Sequence, residues 1–206
     1  MAKIVIIGAG IVGCSLADEL TERGYSDVVI LEKGKLWKPG GSTSHAPGVV
    51  FQTNSSRTMA HFARQTVDKL YGLRHGDASC FIKVGSLELA TTTERLADLH
   101  RRAGLAMSAG INARVITAEE ALALHPLLIH KKLLGALHVP DDGIARAIHA
   151  NEVMGEQATR RGARFIPDCE VLAIDQSNGH VTGVQTSQGN FPADIIVSCA
   201  GIWGPK

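Results

Sequence analysis

Residues 3–32 read KIVIIGAGIVGCSLADELTERGYSDVVILE, and this stretch decides the fold. Lys3 to Ile7 is mostly a continuous β-branched run, which suits a parallel strand buried on both faces, and Gly8 breaks it. From Ile11 to Arg23 the apolar positions Ile11, Val12, Leu16 and Leu20 recur near helical spacing. Gly24 then supplies the left-handed residue that commonly ends a helix. Val28 to Leu31 reads as the next strand. Strand, helix and strand within about thirty residues make one βαβ unit.

Gly8, Gly10 and Gly13 form the pattern GxGxxG. In a chain with 22 glycines the spacing alone is weak, but here it follows a strand and opens a helix. Glu32 stands at the end of the next strand, 22 positions after Gly10. The physics of the pattern is local. Gly8 permits the tight turn, Gly10 lets a pyrophosphate approach the backbone, and Gly13 lets helix and strand pack closely. The helix N-terminus offers unpaired N–H groups and a partial positive charge to the phosphates, and Glu32 would accept hydrogen bonds from the adenosine ribose. These residues point to a dinucleotide. The Glu32 carboxylate disfavours a 2′-phosphate, as in NADP, but the pattern leaves FAD and NAD open.

The rest of the composition narrows the partners. A chain of 206 residues, 45% hydrophobic and 20% charged, can bury a sizeable core. Its 21 basic and 20 acidic side chains leave a formal charge of +1, which provides no broad field for a nucleic acid or an anionic membrane. Cys14, Cys80, Cys169 and Cys199 form no CxxC pair, so neither a structural metal site nor a redox dithiol is expected. Buried thiols in a reducing, cytoplasmic setting fit that usage. The apolar N-terminal run is broken by glycines and lacks a cleavage site, unlike a signal peptide or a membrane span.

Further along, the Pro- and Gly-rich stretch from Lys38 to Gly48 reads as an exposed loop. Helices are expected over 58–73 and 93–106, and another should open at the capping box of Thr117 and Glu120 and close at Pro126. Alternation over 84–90, with Leu87 and Leu89 facing one way, predicts a half-buried strand. A strand over 134–139 should end in the turn Pro140-Asp141-Asp142-Gly143, where Asp serves as a common turn residue. Helix is expected over 146–161 and a strand from Arg164 to Pro167. Three meander strands, 171–175, 181–186 and 195–198, follow, separated by the turns Ser177-Asn178-Gly179 and Gln188-Gly189-Asn190.

Several of these segments together carry a resemblance. Gly40-Gly41-Ser42-Thr43-Ser44-His45-Ala46-Pro47-Gly48 with Phe51-Gln52-Thr53-Asn54 is its most specific piece. Val84-Gly85-Ser86-Leu87-Glu88, the Pro140 to Gly143 turn and Val197-Ser198-Cys199-Ala200-Gly201-Ile202-Trp203 extend it. On these motifs the chain resembles the D-amino-acid-oxidase-like flavoproteins, in the branch of dimethylglycine oxidase, dimethylglycine dehydrogenase and sarcosine dehydrogenase. The resemblance implies FAD as the cofactor, bonded through a ring nitrogen of His45 to the 8α carbon of the flavin. Imidazole is chemically suited to that bond because it is largely neutral near pH 7.

Carried over residue by residue, the resemblance implies that Ile11 and Val12 lie against the pyrophosphate beside Gly8, Gly10 and Gly13. Lys33 would flank the ribose next to Glu32. Ser42, Thr43, Ser44, His45 and Val49 would line the flavin, with Val171 at the adenine through main-chain groups and Gly201 in the closing turn. His61, His75, His100, His125, His130, His138, His149 and His180 have no such context and are expected at the surface or in packing.

The expected fold class is α/β: a Rossmann-like FAD-binding domain, residues 1–78 and 145–206, with part of an inserted mixed α+β substrate domain, residues 79–144. The chain reads as a truncated two-domain flavoprotein whose catalytic residues lie beyond Lys206, so these 206 residues alone are not expected to turn over an amine. The implied reaction is oxidation of the C–N bond of a secondary or tertiary amino acid such as dimethylglycine or sarcosine, with hydride passing to the flavin. The implied partners are the small-molecule amine and a complementing chain or missing C-terminal half, with folate only if a downstream domain exists. A truncated, non-catalytic dinucleotide-binding module is the alternative, and an NAD-dependent dehydrogenase a further one.

Overall fold

A computed structural model describes residues 2–37, 40–128 and 131–204. The chain begins with β1 (Ile4–Ile7), α1 (Ile11–Glu22) and β2 (Val28–Leu31). A single helical turn, α2 (Ser42–His45), precedes β3 (Val49–Val50) and α3 (Arg57–Gly72). Two-residue strands β4 (Arg74–His75) and β5 (Ala78–Ser79) lead to β6 (Phe81–Lys83), β7 (Ser86–Ala90) and α4 (Thr93–Ser108). Then come β8 (Arg114–Thr117), α5 (Ala118–Leu124), β9 (Gly135–Val139), β10 (Gly143–Ala145) and α6 (Ala147–Arg160). The last elements are β11 (Arg164–Ile166), β12 (Val171–Ser177), β13 (His180–Thr186), β14 (Gly189–Pro192), β15 (Ile195–Ser198) and a 3₁₀ turn at Gly201–Trp203.

Two compact units divide these elements. The first holds residues 1–46, 74–77 and 146–206; the second holds 47–73 and 78–145. The sequence places the boundary at 78, whereas the structure groups Pro47–Leu73 with the second unit. The reason is packing. Ala60 of α3 lies in one buried cluster with Leu99, Ala103 and Ala106 of α4 and Leu137 and Val139 of β9.

In the first unit, four parallel strands stand in the order β11-β2-β1-β15. The continuous apolar runs of β1 and β2 fill the centre, where Val5, Ile6, Ile30 and Leu31 are buried. Helices α1 and α6 pack on each other, joined by Arg161 Nη1 on Asp18 Oδ1 at 2.6 Å. The late strands correct the expectation. The meander is β12-β13-β14, closed by Gly189 at φ +105°, while 195–198 leaves it to pair in parallel with β1. Two hairpin loops so close together hide the short strand Gly189–Pro192 inside what reads as a turn.

The second unit is mixed. Antiparallel β7-β9-β8 has Leu87, Leu89, Ile116, Ala121 and Ala136 on one face and the α4 cluster on the other. The anticipated capping box is present: Glu120 N donates to Thr117 Oγ1, and Thr117 N to Glu120 Oε2. A second small sheet, β3-β10-β6, is not foreshadowed in the sequence, because strands of two or three residues carry no measurable period.

Candidate cofactor-binding site

The glycine loop has the close approaches its spacing demands. At Gly8 the backbone takes φ +104°, and a Cβ there would sit 2.6 Å from Cys199 O. A Cβ on Gly13 would sit 2.0 Å from Gly8 O, so no side chain fits between helix and strand. Gly10 is the N-cap of α1 and has no side-chain cap; a Cβ there would meet only Thr43 Oγ1, at 3.2 Å. The first turn of a helix leaves its N–H groups outside the helical ladder. Ile11 N donates to Thr43 Oγ1 at 3.0 Å. Val12, beside them, is 64% exposed.

Glu32 is less a free ribose acceptor than a clamp on its own surroundings. Its Oε2 accepts from Ala9 N at 2.8 Å and its Oε1 from Gly34 N at 2.9 Å. A carboxylate has about four acceptor sites, so two remain for ribose hydroxyls. The Ala9 carbonyl is tied as well, accepting from Asn151 Nδ2 at 3.0 Å and from Cys14 Sγ at 3.3 Å. Burial, reinforced by Glu32, Cys199 and Asp18, pushes the Cys14 thiol up to about 12, so it acts only as a neutral donor.

The Ser42–His45 stretch, expected as open loop, is one turn of helix. Gly41 caps it, and Ser44 N donates to Gly41 O. Ser44 Oγ accepts from Gly40 N at 2.9 Å and donates to Gly41 O at 2.9 Å. His45 is exposed, and its Nδ1 lies 2.9 Å from Gly41 O. A carbonyl can only accept, so this contact is a hydrogen bond in the tautomer with the proton on Nδ1, and in that tautomer Nε2 keeps its lone pair; Ser44 Oγ lies 3.2 Å from the same Nδ1. Lys38 and Pro39, part of the expected loop, lie outside the described residues.

The remaining expected positions divide. The Lys33 ammonium is paired with Glu170 Oε1 at 2.6 Å. Val171 begins β12 and packs against the cluster of Val5, Leu31 and Cys169. The Cys169 N–H, two residues earlier, donates to Glu32 O at 2.8 Å. Gly201 takes φ +59° directly after the Cys199 and Ala200 backbone that Gly8 abuts. Gly41 lies against the Trp203 ring. Val49 falls in the second unit, exposed on β3.

Two side-chain roles go beyond the sequence reading. Asn151 is buried on α6, and Asp142 is fully buried. Asp142 Oδ2 accepts from Ser86 Oγ at 2.6 Å, and its Oδ1 from Gln52 N at 3.0 Å and Gln52 Nε2 at 3.2 Å. Asp142 is thus more than the turn former the sequence suggests, whereas its neighbour Asp141 pairs at the surface with Lys83. The readable signal for Asn151 is an amide on a helix face otherwise lined by Ala150, Val153 and Met154. Among the described residues there is no cluster of three or more metal-ligating side chains, and no helix is long and apolar enough to cross a membrane.

The residues present therefore fit a dinucleotide: a helix start whose N-cap glycine brings no side chain, a glycine cradle, a carboxylate at the second strand's end and the Thr43 hydroxyl on the first N–H. Comparison with known proteins agrees. The chain is 32% identical over 208 residues to the mitochondrial pyruvate dehydrogenase phosphatase regulatory subunit of Mus musculus, covering 98% of this chain and 23% of that protein. It is 31% identical over 211 residues to the mitochondrial sarcosine dehydrogenase of Homo sapiens, again covering 98% and 23%. Among solved structures, L-proline dehydrogenase from P. horikoshii superimposes with a TM-score of 0.89 at 27% identity, covering 98% of this chain and 53% of that one. The chain thus spans about a quarter of the length of these curated relatives. The family model described as FAD dependent oxidoreductase matches residues 3–206, and the chain belongs to that family.

Proposed function

We propose that this chain supplies the FAD-binding part of an oxidoreductase that oxidises the C–N bond of a secondary or tertiary amino acid, of the sarcosine or dimethylglycine kind. The family speaks for FAD over NAD. Relatives named sarcosine dehydrogenase and dimethylglycine dehydrogenase, each about 30% identical, support the substrate class. When bound, the flavin accepts the hydride; the protein binds it, orients it and sets its surroundings.

The observation that carries the proposal furthest is His45. With Nδ1 donating to Gly41 O, the ring is held at one orientation and Nε2 is left as the nucleophilic nitrogen. That arrangement supports a covalent flavin on His45 Nε2. Acid precipitation of the purified flavoprotein tests it: yellow colour should stay in the pellet, and His45→Ala should release it. Colour wholly in the supernatant of the unmutated protein removes the covalent link and leaves FAD binding standing.

A second reading has its own support, since one relative 32% identical is named a regulatory subunit. In that case FAD would be held without amine turnover. Anaerobic addition of sarcosine or dimethylglycine to a flavoprotein that carries this segment together with its substrate-binding half separates the readings, because turnover bleaches the flavin absorption and a non-catalytic module leaves it unchanged.

A further inference from the structure

We infer that one face of α6 is the positioning element for the cofactor cradle, with Asn151 setting the dinucleotide loop and Gly155 setting the loop that leads to His45. The inference rests on the FAD reading above. Asn151 bonds the first loop at Ala9 and Gly155 abuts the second at Trp37, so each would act through its loop.

Asn151 and Gly155 stand four positions apart, so they share a face of α6. Gly155 is the poorest helix former in α6 and Asn151 is a buried amide on an otherwise apolar face, and each calls for a reason outside the helix. For Asn151 the reason is the Ala9 carbonyl. Its Nδ2 donates there at 3.0 Å, across 142 positions of sequence. The other amide atom, Oδ1, is buried and finds no partner among the described residues. A residue kept only for packing would be apolar and would spare that unsatisfied acceptor. Ala9 has both of its flanking peptides held, its N–H on Glu32 and its carbonyl on Asn151, and the second bond sets the direction of the Gly10 N–H in the same peptide plane.

For Gly155 the reason is Trp37. A Cβ on Gly155 would lie 2.0 Å from Trp37 Cη2 and 2.8 Å from two further ring atoms, so only glycine admits the indole. Trp37 itself takes φ +59°, a conformation a bulky residue adopts only when its surroundings hold it there. Its ring also meets Phe165 at 5.6 Å between centroids, tilted by 54°. Trp37 precedes α2 in the chain, and α2 itself packs against α6, so the notch and the α2 contact lie on the same helix.

The two contacts make separable predictions. The experiment uses the protein carrying His45→Ala, so that cofactor binding is reversible, and titrates it with ADP and with FAD. Asn151→Asp keeps the shape but presents an acceptor to the Ala9 carbonyl; affinity for ADP and for FAD should fall together, by about tenfold or more. Gly155→Val and Trp37→Ala, one expelling the indole and one deleting it, should leave ADP affinity within about twofold. Both should change the bound flavin's visible absorption and circular dichroism and, with His45 restored, slow covalent incorporation. Trp37→Ala creates no clash, so it remains informative if Gly155→Val fails to fold.

A loss that strikes ADP and flavin signals equally in all three variants would overturn the inference, because it would mean that α6 serves general stability only. Unchanged ADP affinity in Asn151→Asp would overturn the Asn151 half, and an unchanged flavin spectrum in Trp37→Ala the other. Failure of the parent protein to bind FAD at all would instead remove the functional reading.

Discussion

Two carboxylates, one in each unit, organise the molecule in opposite ways. Glu32 ends a strand of the first unit, is partly exposed, and gathers two backbone N–H groups from Ala9 and Gly34. Asp142 lies sealed in the second unit and gathers Gln52 and Ser86. Glu32 retains acceptor capacity toward solvent and a ligand, whereas the hydrogen-bond donors of Asp142 all come from within its own unit. The first is suited to binding and the second to holding a fold, although both are acidic residues next to glycine-containing turns.

Truncation of the buried member should have the largest effect. Asp142→Ala strands the Gln52 N–H, the Gln52 amide and the Ser86 hydroxyl around a fully buried position. Each stranded group costs about 1 to 3 kcal/mol, so a loss of about 3 kcal/mol or more is expected in urea unfolding. A change under about 1 kcal/mol would show that the cluster re-solvates easily and that the carboxylate is not its organiser.

Overpacking the glycine loop comes next and sharpens the contrast from the binding side. Gly13→Ala drives a methyl to 2.0 Å from Gly8 O, against backbone that cannot swing away. The cost is about 1 to 3 kcal/mol, and FAD capture should be lost with it. Retention of full FAD affinity at an unchanged unfolding midpoint would mean that α1 can shift outward freely.

Glu32→Ala should act mainly on the ligand. A hydrogen bond to a charged group contributes about 1.5 to 3 kcal/mol, so reversible FAD binding, measured in the His45→Ala background, should weaken by about tenfold or more. Part of that loss passes through Ala9, whose N–H would lose its acceptor. Unchanged affinity would reduce Glu32 to a structural clamp and make the two carboxylates equivalent.

The difference in position also explains what is legible in the sequence. Glu32 and the three glycines sit within one βαβ unit, where strand, turn and helix signals reinforce one another over a few residues. Helix α1, β2 and the α5 capping box are readable for that reason. Asp142 reads as a turn residue because nothing nearby reveals that Gln52, 90 positions earlier, wraps back onto it. Asn151 and Gly155 are hidden likewise, their partners Ala9 and Trp37 lying far up the chain. The helical turn at Ser42–His45 escapes because four residues are too few to show a period, and its bonds converge on a single carbonyl, Gly41 O.

The smallest predicted effect tests the buried carboxylate by its charge. Burial raises the Asp142 pKa above its ordinary value of 3.8, while the donors Ser86 and Gln52 and the weaker influence of Asp141 modify the rise. A group whose pKa is higher folded than unfolded binds more protons in the folded state. Its contribution is then fully present below the unfolded value and lost as pH rises through the folded one. The substitution Asp142→Asn removes the ionisation, keeps one acceptor for Gln52, and supplies an amide from which the Ser86 oxygen can accept once its hydroxyl turns. The stability of the unmutated protein relative to Asp142→Asn should therefore decline as pH is raised from about 4 toward neutrality. The other ionisable groups are shared by both proteins and cancel in the difference. Urea midpoints for the pair at a series of pH values give that difference directly. A gap that instead widens in favour of the aspartate as pH rises would show that the three donors outweigh burial, placing Asp142 with Glu32 as a carboxylate held for its charge.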